Sequence, residues 1–270
     1  MDDNTAQTRS HAYRLAALDA DFLLGDSMRG VRLQIEYEKA EECLRAWSVR
    51  STIVVFGSAR TASGESGSEA GSTAQSAARP GGRWYEQARH FGRIASERGG
   101  ALREDHVRDN VIATGGGPGI MEAANRGASD AGAPSIGFNI GLPHEQEPNA
   151  YSTPELTFQF HYFAVRKLHF AMRANALVVF PGGFGTLDEL FELLTLMQTQ
   201  KMPTLPIVLV GERYWKRVID FATLVEEGMI AQDDLALFSY ADDAEGAWIE
   251  LVRRGLNTGP RPPGYPSQRI

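Results

Sequence analysis

The sequence has a single cysteine, no long apolar run and no excess of positive charge, and each absence excludes a class of protein. Cys43 has no second cysteine with which to form an internal disulfide, which is typical of a reducing cytoplasm. No apolar run approaches the ~20 residues that a membrane-spanning helix needs. The formal net charge of -7 argues against a nucleic-acid-binding surface. Because the first residues also lack a signal-peptide pattern, we expect a cytoplasmic protein with neither membrane nor nucleic-acid partners.

The common signatures of cofactor and metal sites are also missing. There is no GxxxxGK[ST] loop, and neither glycine cluster has the spacing of a dinucleotide fingerprint followed by a ribose-binding acid. The histidines His144, His161 and His169 do not form a metal-ligand cluster. The sequence therefore predicts no metal and no cofactor.

Short apolar runs alternate with amphipathic segments along most of the chain. Candidate strands cover residues 52–56, 111–113, 135–140, 156–160, 176–180, 206–210 and 237–240. Strand–helix alternation of this kind predicts an α/β fold, a Rossmann-like doubly wound parallel sheet flanked by helices.

Changes in composition along the chain suggest its domain organisation. Residues 1–20 are polar and predicted to be disordered, and residues 21–50 form an N-terminal helical extension. A nucleotide-binding catalytic domain covers 51–256, and a loose tail covers 257–270. Residues 61–83 are rich in Gly, Ser and Ala and are predicted to be a flexible insertion, since they can bury little apolar area.

Three glycine-bearing turns follow predicted strands, at residues 57–58, 115–119 and 182–185. Ligands of such sheets bind at the carboxyl ends of the strands, so we expect the turns to converge on one site. Free backbone N–H groups and the positive end of a helix dipole hold phosphate at such turns. The third turn also carries Thr186, Asp188 and Glu189, which indicates a phosphorylated ligand with chemistry beside it.

These segments resemble those of one enzyme family. The sequence GGGPGIMEAAN at 115–125, the pair Arg166-Lys167 and PGGFGTLDE at 181–189 are similar to the Lonely-guy (LOG) family, once labelled "lysine decarboxylases". The resemblance covers about residues 52–240 and favours the longer bacterial branch. It implies hydrolysis of the N-glycosidic bond of cytokinin nucleoside 5′-monophosphates, with AMP often accepted, to free base and ribose 5-phosphate. It also implies a homodimer or a larger homo-oligomer.

The resemblance assigns roles to individual residues. Glu189 would stabilise the breaking bond and the ribose, and Arg166 would assist the departing base or fix the phosphate. The predicted substrate-binding residues are Gly57, Ser58, Gly116, Gly117, Glu122, Glu145, Lys167, Gly182, Gly183, Gly185, Thr186, Asp188 and Thr195.

Other interpretations stay open at this point. Glu189 could be a first-turn acid that only complements the helix dipole, and Arg166 with Lys167 could be a solvated helix face. A non-catalytic carrier of nucleotides or molybdenum cofactor would need the same glycine turns. In a regulatory interpretation, the extension and the insertion could host an interaction or a nucleotide effector.

Overall fold

One seven-stranded parallel sheet forms the centre of the computed structural model, which describes residues 3–61, 82–103, 107–141 and 147–258. The strands lie in the order β4-β3-β2-β1-β5-β6-β7, and every neighbouring pair is parallel. Their bounds are β1 Thr52–Phe56, β2 Val111–Thr114, β3 Ser135–Ile140, β4 Thr157–Phe160, β5 Ala174–Val179, β6 Ile207–Val210 and β7 Ser239–Ala241. The predicted fold class is confirmed.

Helices cover both faces of the sheet. They are α1 Thr5–Arg9, α2 Ala20–Leu24, α3 Arg29–Ala46, α4 Gly82–Gly99, α5 Ile120–Asp130, α6 Phe163–Arg173, α7 Phe184–Gln198, α8 Glu212–Val218, α9 Phe221–Glu226 and α10 Ala244–Arg253. None of these described helices has the length and apolar character needed to cross a membrane.

The central strand β1 is buried on both faces, which explains its continuous apolar run. Ile53 and Val55 belong to a core cluster with α4, α5 and α10, whereas Val54 and Phe56 belong to a second cluster with α6 and α7. Two cores of this kind fix the helices that carry the site residues.

The strand order reverses at β1, which has β2 on one side and β5 on the other. The connections that leave β1 and β5 therefore diverge and open a crevice at the carboxyl edge of the sheet. Residues 57–58 follow β1 and residues 180–183 follow β5, so two of the predicted turns border this crevice.

Two helical segments near the site have bounds that the strand pattern did not give. Helix α7 begins at Phe184, within the third glycine turn, with Gly183 at its N-cap. Residues 212–226 form two helices rather than one, because the chain leaves helical geometry at Ile219 and Asp220 caps α9. Residues 3–20, predicted to be disordered, contain short helical turns without a buried side chain. The insertion and the tail fall almost wholly outside the described residues, and the domain boundaries stay predictions.

Helix α3 is tied to both ends of α6. The Glu36 carboxylate accepts the backbone N–H groups of His161, at 2.7 Å, and Tyr162, at 3.2 Å. The fully buried Glu41 binds the guanidinium of Arg173 at the other end, with Oε2 2.9 Å from Nη2. Helix α3 therefore braces the helix that presents Arg166 and Lys167.

Candidate functional site

The three glycine turns meet at the crevice, as the sequence predicts. The Ser58 N–H donates to the Pro181 carbonyl at 3.0 Å, which joins the first turn to the third. The Ile120 N–H donates to the Ser58 carbonyl at 3.1 Å, which joins the second turn to the first. Three segments that are far apart in the chain thus form one continuous rim.

Two glycines of the rim are required by packing. A Cβ at Gly57 would lie 2.6 Å from Cγ2 of Ile120, and a Cβ at Gly119 would overlap the Ser58 carbonyl. Gly119 also has a φ of +73°, a region that favours glycine. Gly57, predicted to bind substrate, therefore has its α-hydrogen against Ile120.

The second turn brings backbone next to Arg166. A Cβ at Gly115 would lie 2.6 Å from Nη2 of Arg166, and a Cβ at Gly116 would overlap the side chain of Asn139. Gly116 has a φ of +71°. A side chain at Gly115 would displace the guanidinium, so this glycine allows Arg166 to approach the backbone of the turn.

Arg166 is a buried charge held by α6. Its side chain is only 11% exposed, its Nε donates to the Phe138 carbonyl at 2.7 Å, and its guanidinium lies 5.1 Å from the ring centre of Phe170. Burial lowers the pKa of Arg166, and the nearby charge of Glu189 opposes that effect. This excludes a solvated helix face for Arg166.

Glu189 faces Arg166 from the second turn of α7. Its Oε1 lies 3.7 Å from Nη1 of Arg166, and the Glu189 side chain is 7% exposed. Burial raises the pKa of Glu189 to about 7, against the opposing charges of Arg166 and Lys167. A first-turn acid that served only the helix dipole would be solvated, so this placement favours a functional carboxylate.

In the third turn, Gly182 is packed against a side chain, whereas Gly183 and Gly185 border open space. A Cβ at Gly182 would overlap the buried hydroxyl of Thr186, whereas a Cβ at Gly183 or Gly185 would meet nothing within 4 Å. Gly183 and Gly185 are exposed. The turn therefore presents its backbone to open space at the amino end of α7, where a phosphate would fit.

Three other predicted residues lie on a neighbouring surface. Lys167 Nζ lies 2.8 Å from Oδ1 of Asp188 and 3.2 Å from Oε2 of Glu192. Lys167, Asp188 and the exposed Thr195 line an open groove of about 460 Å³ along α7, together with Phe184 and Phe191. These residues are adjacent to the Arg166–Glu189 pair but outside it.

The remaining predicted residues have varied positions. Glu122 accepts a hydrogen bond of 2.7 Å from the Tyr85 hydroxyl, which holds its carboxylate against α4. Ser58 accepts the Arg60 N–H through Oγ at 3.1 Å. Glu145 lies outside the described residues.

Sequence reasoning missed Asn149 and Tyr214. Asn149 Nδ2 donates to the carbonyl oxygens of Gly116, at 3.0 Å, and Gly117, at 3.2 Å. The Tyr214 hydroxyl donates to the Gly182 carbonyl at 2.7 Å. Both lie far in sequence from the turns they bind, so neither periodicity nor a local motif could reveal them.

One group of side chains among the described residues has the spacing of a metal site. It consists of His11, Asp19 and Asp21 in the N-terminal turns and shares no residue with the crevice. Exposed acidic groups of this kind occur commonly without a metal, so it gives no support for a metal at the crevice.

Comparison with known proteins supports the family resemblance. A family model described as "Possible lysine decarboxylase" matches residues 121–251, which include Arg166 and Glu189. The chain is 27% identical over 139 residues to a probable cytokinin riboside 5′-monophosphate phosphoribohydrolase, LOG4, of Oryza sativa subsp. japonica, covering 50% of this chain and 59% of the relative. It is also 27% identical over 149 residues to the cytokinin riboside 5′-monophosphate phosphoribohydrolase LOG4 of Arabidopsis thaliana, covering 54% and 66%. The match thus spans less than two thirds of either relative.

Solved structures with a similar fold include two proteins that bind molybdenum cofactor. The Moco carrier protein of Chlamydomonas reinhardtii is 21% identical with a TM-score of 0.46, covering 75% of this chain and 96% of that one. The molybdenum cofactor binding protein of Rippkaea orientalis is 19% identical with a TM-score of 0.45, covering 75% and 95%.

Proposed function

We propose that this chain, which is similar to the LOG phosphoribohydrolases, hydrolyses the N-glycosidic bond of nucleoside 5′-monophosphates. The products are a free base, either adenine or a cytokinin, and ribose 5-phosphate. The observation that carries the proposal is the buried Arg166–Glu189 pair beside three joined glycine turns.

The 5′-phosphate binds at the amino end of α7 in this proposal. The backbone N–H groups near Gly183 and Gly185 border open space, and the positive end of the helix dipole favours an anion there. The buried Thr186 hydroxyl lies beside this turn. Arg166 is close enough to the second turn to bind the ribose phosphate or the departing base.

The reaction breaks the bond between the anomeric carbon and the base nitrogen, and forms a bond from that carbon to a water oxygen. One water proton ends on the base nitrogen, so atoms and charge balance. Positive charge develops on the sugar in the transition state, and the Glu189 carboxylate stabilises it and orients the water. With a pKa of about 7, Glu189 is poised between its two protonation states near neutral pH.

Decarboxylation through a Schiff base finds no support at Lys167. That chemistry needs a neutral amine. Burial lowers the pKa of Lys167, but hydrogen bonds and charges from Asp188 and Glu192 outweigh it and raise the pKa overall. Lys167 is therefore a charged partner of α7 in the proposed enzyme.

A homodimer or larger homo-oligomer is part of the proposal, because the family resemblance implies it. The exposed apolar side chains of Phe184 and Phe191 along the α7 groove are consistent with a covered surface. Light scattering coupled to size-exclusion chromatography measures the subunit number, and a monomer at micromolar concentration would contradict this part.

The test of function is release of free base. Purified protein is incubated with AMP and with isopentenyladenosine monophosphate, and the bases are separated by chromatography. We expect release by the wild type, and at least about 100-fold slower release by Glu189→Gln and Arg166→Ala, since each removes a transition-state contact. Failure of the wild type to release base from any nucleoside monophosphate would refute the hydrolase.

The same preparation tests the carrier alternative, which the sequence leaves open. Native mass spectrometry detects a cofactor that copurifies with the protein. A bound molybdenum cofactor without base release would favour a carrier over a hydrolase.

A further inference from the structure

Two side chains outside the motifs donate hydrogen bonds to carbonyl groups of the glycine turns. We propose that Asn149 and Tyr214 are positioning residues: each binds a turn carbonyl and so directs the next N–H toward the phosphate of the ligand. This inference rests on the proposed function, because it names the residues that prepare its phosphate site.

In the second turn, Asn149 binds the Gly116 carbonyl twice. Its backbone N–H donates to that oxygen at 2.8 Å and its Nδ2 donates at 3.0 Å. A trans peptide unit is planar, with its C=O and N–H on opposite sides. The N–H of Gly117 therefore points away from Asn149.

The Asn149 side chain is itself fixed. Its Oδ1 accepts the backbone N–H groups of Tyr151, at 3.1 Å, and Ser152, at 3.2 Å, while Nδ2 also donates to Oδ1 of Asn125 at 3.0 Å. Because both ends of the amide are used, the side chain cannot rotate without breaking several hydrogen bonds. The orientation of the turn is thus determined before any ligand binds.

The third turn repeats this arrangement with a different residue. The Tyr214 hydroxyl, on α8, donates to the Gly182 carbonyl at 2.7 Å. By the same peptide geometry the N–H of Gly183 points away from Tyr214. Gly183 is exposed, and a Cβ there would meet nothing within 4 Å.

The backbone N–H groups of Gly117 and Gly183 have no acceptor within the part of the chain that the structure describes. A backbone N–H without a partner is uncommon, particularly at the buried Gly117. One donor from each turn is thus available to an anion in the crevice. Donors oriented in advance bind an anion more tightly than donors that must be ordered on binding.

The principal test replaces Tyr214 by phenylalanine, which removes only the hydroxyl. The dissociation constant of ribose 5-phosphate is measured by calorimetry, together with kcat and KM for AMP. Tyr214→Phe should weaken ribose 5-phosphate binding by about tenfold, because a hydrogen bond to a charged group loses its orientation. KM for AMP should rise more than kcat falls.

Two controls separate positioning from damage to the fold. Tyr240→Phe removes a half-buried phenol on β7 that makes no hydrogen bond to either turn within the described residues, and should leave ribose 5-phosphate binding unchanged. Adenine, which has no phosphate, should bind Tyr214→Phe as well as it binds the wild type. Equal loss of affinity for adenine and ribose 5-phosphate would assign Tyr214 a structural role and overturn the proposal.

A second variant tests the other turn. Asn149→Asp keeps an acceptor for Tyr151 and Ser152 but loses the Nδ2 donor to the two glycine carbonyls. It also adds a negative charge, whose repulsion of phosphate is weakened by salt. Weakened ribose 5-phosphate binding that persists in 1 M sodium chloride supports positioning, and full recovery in salt contradicts it for Asn149.

The outcomes distinguish this inference from the proposed function. If the wild type releases no base but ribose 5-phosphate binding still depends on Tyr214, the hydrolase is wrong and the positioning role stands. If the wild type hydrolyses AMP and Tyr214→Phe binds ribose 5-phosphate normally, the hydrolase stands and the positioning role is overturned.

Discussion

Nη1 of Arg166 lies 3.7 Å from Oε1 of Glu189, close enough for attraction but beyond hydrogen-bond length. Arg166 instead donates a hydrogen bond from Nε to the Phe138 carbonyl. The guanidinium therefore neutralises the carboxylate only in part, and burial still raises the pKa of Glu189 to about 7. A carboxylate in this state can accept a hydrogen bond from water or ribose without first leaving a tight ion pair.

The activity should depend on pH through Glu189. Its raised pKa means that the carboxylate dominates above about pH 7 and the neutral acid dominates below it. If the carboxylate is the active form, kcat/KM for AMP, which reports the free enzyme, falls as the pH decreases from 8 to 5.5, approaching tenfold per pH unit below the pKa. A kcat/KM that stays constant over this range would contradict the assigned state of Glu189.

Arg166 and Lys167 are adjacent but should differ in importance. Arg166→Lys keeps the charge but loses the planar group that binds the Phe138 carbonyl, so we expect turnover to fall about 100-fold. Lys167→Ala, which removes ion pairs with Asp188 and Glu192, should cost less than about tenfold. Steady-state kinetics with AMP compare the two variants. Equal losses would mean that Lys167 also contacts the substrate.

The glycines of the third turn should respond differently to alanine. A Cβ at Gly182 would overlap the Thr186 hydroxyl, so Gly182→Ala should lower the free energy of unfolding by about 1–3 kcal/mol. Gly185→Ala is the matched control, since its Cβ would meet nothing within 4 Å and the residue lies in a helix. Urea denaturation measures both, and comparable destabilisation would contradict the geometry of the turn.

Helix α3 should contribute strongly to stability through Glu41. Glu41→Ala leaves Arg173 buried without this partner, so we expect a loss of about 3–5 kcal/mol in the free energy of unfolding. Glu38→Ala changes an exposed acid on the same helix and should alter stability by less than about 0.5 kcal/mol. Similar effects from both variants would show that the buried pair with Arg173 is not what holds α3.

The pH dependence of stability follows from the same pair. Burial raises the pKa of Glu41, but the hydrogen bond and charge of Arg173 outweigh it and lower the pKa below 4.5. The ionised Glu41 carboxylate therefore stabilises the folded protein above pH 4.5, and this stabilisation is lost as the pH falls through the lowered pKa. Thermal unfolding between pH 7 and pH 3 should show the wild type losing more stability than Glu41→Gln, and parallel curves would contradict this assignment.

Much of the site could be predicted because its parts are local. A strand, a glycine turn and the first turn of a helix are adjacent in sequence, so the segment ending at Glu189 can be identified from spacing alone. Even so, the sequence could not separate the packing glycines from the open ones. Gly57 and Gly185 look alike in the sequence, yet one contacts Ile120 and the other borders open space.

The sequence by itself determined the parallel sheet and the three glycine turns, because these depend on short-range periodicity and spacing, and the family resemblance pointed to Arg166 and Glu189. The tertiary structure decided the rest. It buried Glu189 and raised its pKa, placed Lys167 and Asp188 on a neighbouring groove, and brought Asn149 and Tyr214 to the turn carbonyls. Burial and hydrogen bonds between distant segments depend on how the chain packs, and no local pattern of residues encodes them.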